Sequence, residues 1–455
     1  MKYVLSIFVL TFLKLNVIAQ DNKGGGSFTL KEAVDYAVMN SLNVKNSDID
    51  KRVAIAKKSE LKSQALPQIN GNIDLIHNIN IQKVILENGA VPAFANPKIP
   101  EGQVTAFQLQ LANQFIPSIS GTQVIFDQSF FTNVHASKVY QELSEKNLVR
   151  SKIEVAHNVT KAYYGVLVNE KQLSSIDANL VRLDSVYKEA SARFQNGLAR
   201  KIEVDRIEVS FNNLKEERSK VMRMANLSKA LLKFQMNISK EENITLKDTL
   251  YEGLLNDVLN IQEGKNAVYT NRIEYSIIET QLVLTKLDRK STDAGYYPKL
   301  IGIATTGYNP AATKFSNITQ STRWFNYSFV GLRLQVPIFN GFVLHHKVQE
   351  KKLEEERTSN NKKILERTID LQVDESLINL SNSLESLKIQ KRNLDLAIEN
   401  VRVLKAENES GITMNLEVTI GEAALKDAQT NYYNALYNAL LSKADYERAM
   451  GTLLK

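Results

Sequence analysis

The sequence predicts a mainly α chain with a transmembrane β-barrel portion, written as a duplicated helix–strand–strand–helix–helix repeat with long antiparallel coiled-coil helices. Three observations predict it. All eight prolines fall in two windows, 67–117 and 298–337, and the proline-free stretches around them suit very long uninterrupted helices. Within each window the apolar period switches to two, the mark of a strand. Finally, the chain repeats itself at an offset of 214 residues, without a gap from Phe194/Asn408 to Asn237/Gly451. That offset pairs Gly197 with Gly411, Glu203 with Glu417, Glu208 with Glu422 and Met236 with Met450, and aligns the identical runs 227–230 and 441–444. Self-similarity of this kind marks one architecture built twice.

Taken in order, residues 1–19 read as a secretory signal peptide. Lys2 precedes an apolar run from Val4 to Leu13, and Val17 and Ala19 suit a cut before Gln20. Lys14 and Asn16 interrupt the run well short of the ~20 residues of a membrane anchor. The first repeat is expected over 20–240. Thr29 and Glu32 form a capping box at the start of a helix through Val38, and a second helix runs from about Asn43 to Ala65, stopped by Pro67. Strands follow at about 68–82 and 103–126. In the first, Ile69, Ile73, Leu75, Ile79 and Ile81 alternate with Asn and Gln; in the second, Phe107, Leu109, Leu111 and Phe115 alternate with Gln108, Gln110 and Gln114. A face of amides opposite an apolar face suits a watery lumen opposite lipid.

From Ser129 to Phe194 the apolar residues step by four and three, as do Val204, Ile207, Phe211 and Leu214 after the turn. This heptad predicts an antiparallel hairpin of supercoiled helices, on the order of 100 Å long, with its tip at 196–200. A polar link, 241–265, joins the repeats. The second repeat, 266–455, is expected to give a helix to Ala294, strands at about 299–308 and 324–338 with a bulge near Gly331, and a hairpin with its tip at 410–415. Tyr296, Tyr297, Tyr308, Trp324 and Tyr327 stand at strand ends, where membrane-interface aromatics belong. At each tip a glycine, Gly197 or Gly411, is expected to take a positive φ.

Composition excludes several classes of function. Without cysteine there is no disulfide framework, thiolate metal site or lipid-bearing thiol. A net charge of +7 without a basic, aromatic-rich cluster argues against nucleic acid as a partner. His77, His135, His157, His345 and His346 have no partners at metal-ligand spacing. Neither a catalytic constellation nor a cofactor motif is legible, so an enzyme is not expected.

The leader, the Thr29-to-Val34 opening, the doubled order of elements and the Gly-Leu and Gly-Ile tips resemble the TolC family of outer-membrane efflux factors over essentially the whole mature chain. The resemblance implies a homotrimer. Four strands per chain would complete a twelve-stranded barrel in the outer membrane, with a helical cylinder in the periplasm. It further implies a periplasmic adaptor and an inner-membrane pump as partners. Gly197, Leu198, Ala199, Gly411, Ile412 and Thr413 become the adaptor-docking tips, and Glu417 a candidate periplasmic gate. The physics of closure agrees: four strands cannot close, eight fill with side chains, and about twelve leave a channel. The expected function is the exit duct of a tripartite efflux pump or type I secretion system. The alternative is a periplasmic coiled-coil adaptor or a structural protein without a channel, which the two strand windows disfavour.

Overall fold

The computed structural model of the chain describes residues 26–454 apart from 92–96, 109, 251–252, 254–264 and 321–323. The leader, its cleavage site, Leu109 and most of the link lie outside the described residues. In chain order the elements are β1 (Gly26–Phe28), α1 (Leu30–Asn40), α2 (Leu42–Ser63), β2 (Gln68–His77), β3 (Lys83–Glu87), β4 (Val104–Gln108), β5 (Asn113–Phe126), α3 (Gln128–Gln195) and α4 (Lys201–Met236). Then come β6 (Ile244–Leu246), α5 (Lys265–Asn271), α6 (Ile273–Asp293), β7 (Lys299–Tyr308), β8 (Ala311–Ala312), β9 (Asn326–Gln335), α7 (Val343–Glu409) and α8 (Asn415–Met450).

The duplication carries into the backbone. The long helices α3 and α7 have 68 and 67 residues, and α4 and α8 have 36 each. Asn237 and Gly451, which the 214-residue offset pairs, both end their helices in the left-handed conformation, at φ 56° and 73°. That is the conformation a helix C-cap asks for, and Asn and Gly are the residues that tolerate it. At the other end of the chain the capping box forms as its spacing requires. The Thr29 hydroxyl accepts from the Glu32 N–H at 3.3 Å, and the Glu32 carboxylate accepts from the Thr29 N–H at 2.9 Å.

The described chain falls into two compact units. One holds β1, α1, β6, α4, α8 and the tip-side parts of α3 and α7. Its fully buried side chains include Val159, Tyr163 and Val166 of α3, Leu232 and Met236 of α4, and Leu436 and Leu440 of α8. The Tyr163 hydroxyl sits 2.9 Å from the Phe28 carbonyl and 2.8 Å from the Asp248 carboxylate, which also accepts from the Leu30 N–H at 2.8 Å. Burial and the Asp248 carboxylate both push the Tyr163 phenol far above its ordinary pKa, so it stays a donor. This bond fixes a feature that sequence periodicity missed. The glycine-rich lead and the polar link pair as parallel strands β1 and β6, in register Gly26 to Ile244 through Phe28 to Leu246.

The other unit holds α2, the remaining strands, α5, α6 and the sheet-side parts of α3 and α7. Its sheet is antiparallel in the order β2-β5-β7-β9, with β8 paired to β5. Several expected boundaries shift here. The first strand stops at His77, and the Asn78 N–H makes one further in-register bond, to the Ala112 carbonyl at 2.7 Å. The expected strand 103–126 is two strands: β4 pairs with β3 in a separate hairpin, and only β5 joins the sheet. The bulge expected near Gly331 is absent. Strand β9 pairs with β7 without interruption from Lys299–Gln335 to Tyr308–Asn326, and the irregularity lies in β5 between Val124 and Phe126. The phase change read around Gly331 is two faces of one regular strand, each carrying apolar residues. The expected helix 266–294 is broken at Arg272, and α7 starts after Gly341 and Phe342, both at φ 64°.

Replacing Tyr163 with Phe removes the buried hydroxyl that joins the Phe28 carbonyl to the Asp248 carboxylate, and should lower stability by about 1–2 kcal/mol. Thermal unfolding followed by circular dichroism measures it, and the loss should exceed that of Tyr297→Phe, at an exposed tyrosine.

Candidate functional site

The sheet presents two unlike faces. Directly opposed residues share a face, so the pairings Ile69–Gly121, Gly71–Ile119, Ile73–Pro117 and Leu75–Phe115 place these side chains together. The same face continues through Gly121–Ala304 and Ile119–Thr306 to Ala304–Val330, Gly302–Leu332 and Leu300–Leu334. It is apolar and open: Ile69, Ile73, Ile119, Leu332 and Leu334 are exposed, and Val330 is 84% exposed. A soluble protein would cover such a band; lipid covers it in a membrane. Opposite lie Gln68, Asn70, Asn72, Asp74, Gln114, Ser118, Ser120, Thr122, Thr305, Arg333 and Gln335, with Ile116, Val124, Ile301, Ile303 and Phe329 among them, so the polar character is concentrated on β2 and β5. Strands β2, β7 and β9 have ten residues each, the length of a membrane-crossing strand.

Aromatic residues stand where the sequence put them. Tyr296 and Tyr297 precede β7, and Tyr308 ends it. At that far end the Trp324 ring lies 5.8 Å from both Tyr308 and Phe115, and its indole N–H donates to the Ile318 carbonyl at 2.9 Å. A buried Asn113 stiffens the same end, with Oδ1 2.7 Å from His77 Nδ1 and Nδ2 donating to the Thr313 carbonyl at 2.9 Å.

At the two hairpin tips the duplication is reproduced bond by bond. The Gly197 N–H donates to the Phe194 carbonyl at 2.9 Å and the Leu198 N–H to the Arg193 carbonyl at 2.8 Å; Gly411 and Ile412 make the same bonds to Asn408 and Glu407 at 3.0 and 2.8 Å. Both are Schellman closures, which need a left-handed residue after the helix, and Gly197 and Gly411 supply φ 75° and 70°. No atom lies within 4 Å of a Cβ built on either glycine, so backbone conformation alone demands glycine there. Leu198 and Ile412 are 78% and 77% exposed, while Ala199 and Thr413 are half-buried.

The tips differ in charge. Glu203 pairs with Arg200 at 3.0 Å; its counterpart Glu417 is exposed, and Met414 stands where Arg200 would be. Among the described residues Glu417 makes no ion pair. Sequence reasoning missed the carboxylate that is paired near this tip. Glu422 of α8 lies 2.5 Å from Lys405 of α7 and 3.4 Å from Arg182 of α3. One turn on, Lys426 meets Glu217 of α4 at 2.7 Å. Burial lowers the Lys426 pKa, but the Glu217 carboxylate outweighs it and holds the ammonium above its ordinary range. Glu422, Arg182, Lys426 and Glu217 line a cavity of about 210 Å³ with Asn179, Ser210 and Asn213. The duplication pairs Glu422 with Glu208, the one signal in the sequence that touches it. Farther along α3, His157 Nε2 lies 2.7 Å from Asp445, to which Lys161 also donates at 3.2 Å. No group of residues able to hold a metal occurs among the described residues.

Comparison with known proteins follows this geometry. Residues 281–452 match the family model of outer membrane efflux proteins. The chain is 21% identical to the outer membrane protein TolC of Escherichia coli strain K12 over 435 residues, covering 93% of this chain and 82% of TolC. The TolC of Salmonella enteritidis matches equally, over 434 residues. Among solved structures, CusC superposes with a TM-score of 0.73 at 13% identity, covering 94% of this chain and 92% of CusC. The open-state MtrE outer membrane channel of Neisseria gonorrhoeae gives 0.72 at 14% identity, covering 94% and 89%.

The faces of the sheet make a direct prediction. Ile73→Arg, on the apolar face, should destabilise the inserted protein by ~2–4 kcal/mol, and Asn72→Arg, one residue away on the polar face, by under ~1 kcal/mol. Denaturant titration in lipid vesicles compares the two, and equal costs would mean the faces are assigned wrongly.

Proposed function

We propose that this chain, an outer-membrane efflux protein of the TolC type, works as a homotrimer that forms the exit duct of a tripartite pump or type I secretion system. The observation that carries the reading is the four-stranded sheet with an open apolar face, an opposite face bearing the amides of β2 and Gln114 of β5, and two edge strands, β2 and β9, that each pair on one side only among the described residues. Within a bilayer every backbone N–H and C=O must find a partner. Three copies set edge to edge supply those partners and bring the strand number to about twelve, the size that leaves a channel. An adaptor or a purely structural coiled coil has no use for such a sheet.

The helical hairpins have the same need. Val209, Met222, Met224 and Leu227 on α4 and Leu377, Ile378, Ile389 and Leu396 on α7 are exposed, in stripes that neighbouring copies would cover. The tips are the docking end for a periplasmic adaptor: Leu198 and Ile412 stand out from rigid turns and offer apolar knobs to a helical hairpin. Glu417 is the candidate gate. Repeated three times around a narrow bore, it places like charges together, with the repulsion relieved by cations or partial protonation.

In a planar bilayer the purified protein should conduct ions, and native mass spectrometry should find three chains; a stable monomer without conductance would contradict the duct. The mature chain should begin at Gln20 and carry no lipid, which intact mass reads directly.

The tips are tested by Gly411→Trp. A Cβ there meets no atom within 4 Å and the positive φ strains the turn by about 1–2 kcal/mol, so the trimer should still fold and conduct, yet export should stop. Glu417→Ala should change conductance and its sensitivity to divalent cations. Normal export by a Gly197→Trp, Gly411→Trp double mutant would show the tips to be plain hairpin ends.

A further inference from the structure

Two orphaned polar atoms of this chain meet at one cavity. Among the described residues three buried side-chain polar atoms lack a hydrogen-bond partner: Arg182 Nε, Glu242 Oε2 and Glu422 Oε1. Arg182 and Glu422 both line the cavity of about 210 Å³ between α3, α4 and α8. Their charges are matched, but these hydrogen bonds are not. Arg182 Nε stands 3.4 Å from Glu422 Oε2, and the Lys405 ammonium of α7 stands 2.5 Å from Glu422 Oε1, neither in hydrogen-bonding geometry. The other end of the Arg182 guanidinium is committed, since it donates to Asn179 Oδ1. A buried polar atom without a partner is costly, and it calls for a ligand or water that completes it.

The rest of the lining narrows the class. Lys426 and Glu217 add a second ion pair at 2.7 Å, so the lining carries two cations and two carboxylates. Just outside, Lys405 is offset by Asp427, which lies 3.6 Å from Lys426. A solute of net charge upsets this balance, whereas one with a charge of each sign fits it. Asn213, whose side chain makes no hydrogen bond among the described residues, adds an uncommitted donor and acceptor. Part of the wall is apolar. Leu183 and Val186 reach it from the cluster of Ala190, Val204 and Ile207 nearer the tip, and Leu214 joins them. Water completes polar atoms but gains nothing from such a wall, and the volume is several times the ~30 Å³ share of one water molecule.

We propose that this cavity binds a small zwitterion of the α-amino-acid class, with its carboxylate on Arg182, its ammonium on Glu422 and an aliphatic side chain against Leu183, Val186 and Leu214. The two charges of an α-amino acid hang from one carbon, which suits two partners only 3.4 Å apart. A solute seated there touches α3 and α4 of one hairpin and α8 of the other, so its occupancy stiffens the junction between them. The site goes beyond the duct, and binding alone decides it.

The full-length protein in detergent micelles, dialysed free of solutes, is titrated with L-leucine by isothermal calorimetry. One saturable site per chain is expected, with a Kd below about 1 mM. Isocaproate, which lacks the ammonium, and isoamylamine, which lacks the carboxylate, should each bind at least tenfold more weakly. Ser210→Leu fills the cavity from α4 and leaves every ion pair in place. The Ser210 hydroxyl donates within its own helix, to the Arg206 carbonyl at 3.1 Å, so the fold does not depend on it. This variant should lose at least tenfold in leucine affinity with its circular dichroism melt unchanged. The absence of saturable heat would mean a cavity that holds water only. Equal binding of the three compounds would mean an apolar pocket indifferent to charge, and full affinity in a folded Ser210→Leu variant would put the site elsewhere. Each of these results overturns the proposal. The comparison of leucine with its two analogues uses the unaltered chain, so it decides even where Ser210→Leu fails to fold. Conductance of the same preparation judges the duct separately.

Discussion

On the proposed reading, the requirement that backbone hydrogen bonds be complete within a bilayer governs the rest of this molecule. The ladder from β2 through β5 and β7 to β9 satisfies the two inner strands on both sides and the outer two on one. An exposed edge in water costs little, because water replaces the missing partner. In hydrocarbon each orphaned amide or carbonyl costs several kcal/mol, and ten-residue edges multiply that cost beyond the stability of any domain. In the proposed duct, an open four-stranded sheet with an apolar outer face is therefore a fragment of a closed one. The polar face then lines water, and a channel follows from closure.

The helices answer to the same geometry. A barrel of several chains must pass its strands into helices that also need neighbours, and the exposed stripes on α4 and α7 meet that need. What each chain secures for itself is the junction of repeats. Tyr163, the Phe28 carbonyl and Asp248 tie the start of the chain to the link, and the duplicated Schellman turns fix the hairpin tips with equivalent backbone bonds. The tips are rigid because their closing bonds are local. They diverge only in side chains, where Arg200 faces Glu203 on one and Met414 leaves Glu417 open on the other.

Most of this architecture was legible in the sequence, for a physical reason. Heptads, period-two amides and proline placement report burial and exposure along a chain whose elements are long and regular. Thus the long hairpin helices, the capping box at Thr29 and both glycine turns lie where their residues put them. Legibility failed where a pairing partner, not a periodicity, decides. Strand β1 looks like a polar lead until β6 lies beside it, and β4 reads as one run with β5 because alternation continues while pairing does not. The phase change at Gly331 suggested a bulge, since both faces of β9 carry apolar residues. At the tips the glycines were readable, but Glu422 was not: its partners Lys405 and Arg182 stand on other helices, and nothing local marks them.

Closure between copies is the central claim, and the absence of cysteine allows it to be measured directly. Asn72→Cys on β2 and Gly331→Cys on β9 place one thiol on each edge strand, and a short bis-maleimide tolerates an uncertain register between them. Treated in native membranes and run under denaturing conditions, the double variant should give a covalent ladder that ends at three chains, while either single variant stays monomeric. Cross-linking confined within one chain, or a ladder ending at any other number, would contradict edge-to-edge closure by three copies.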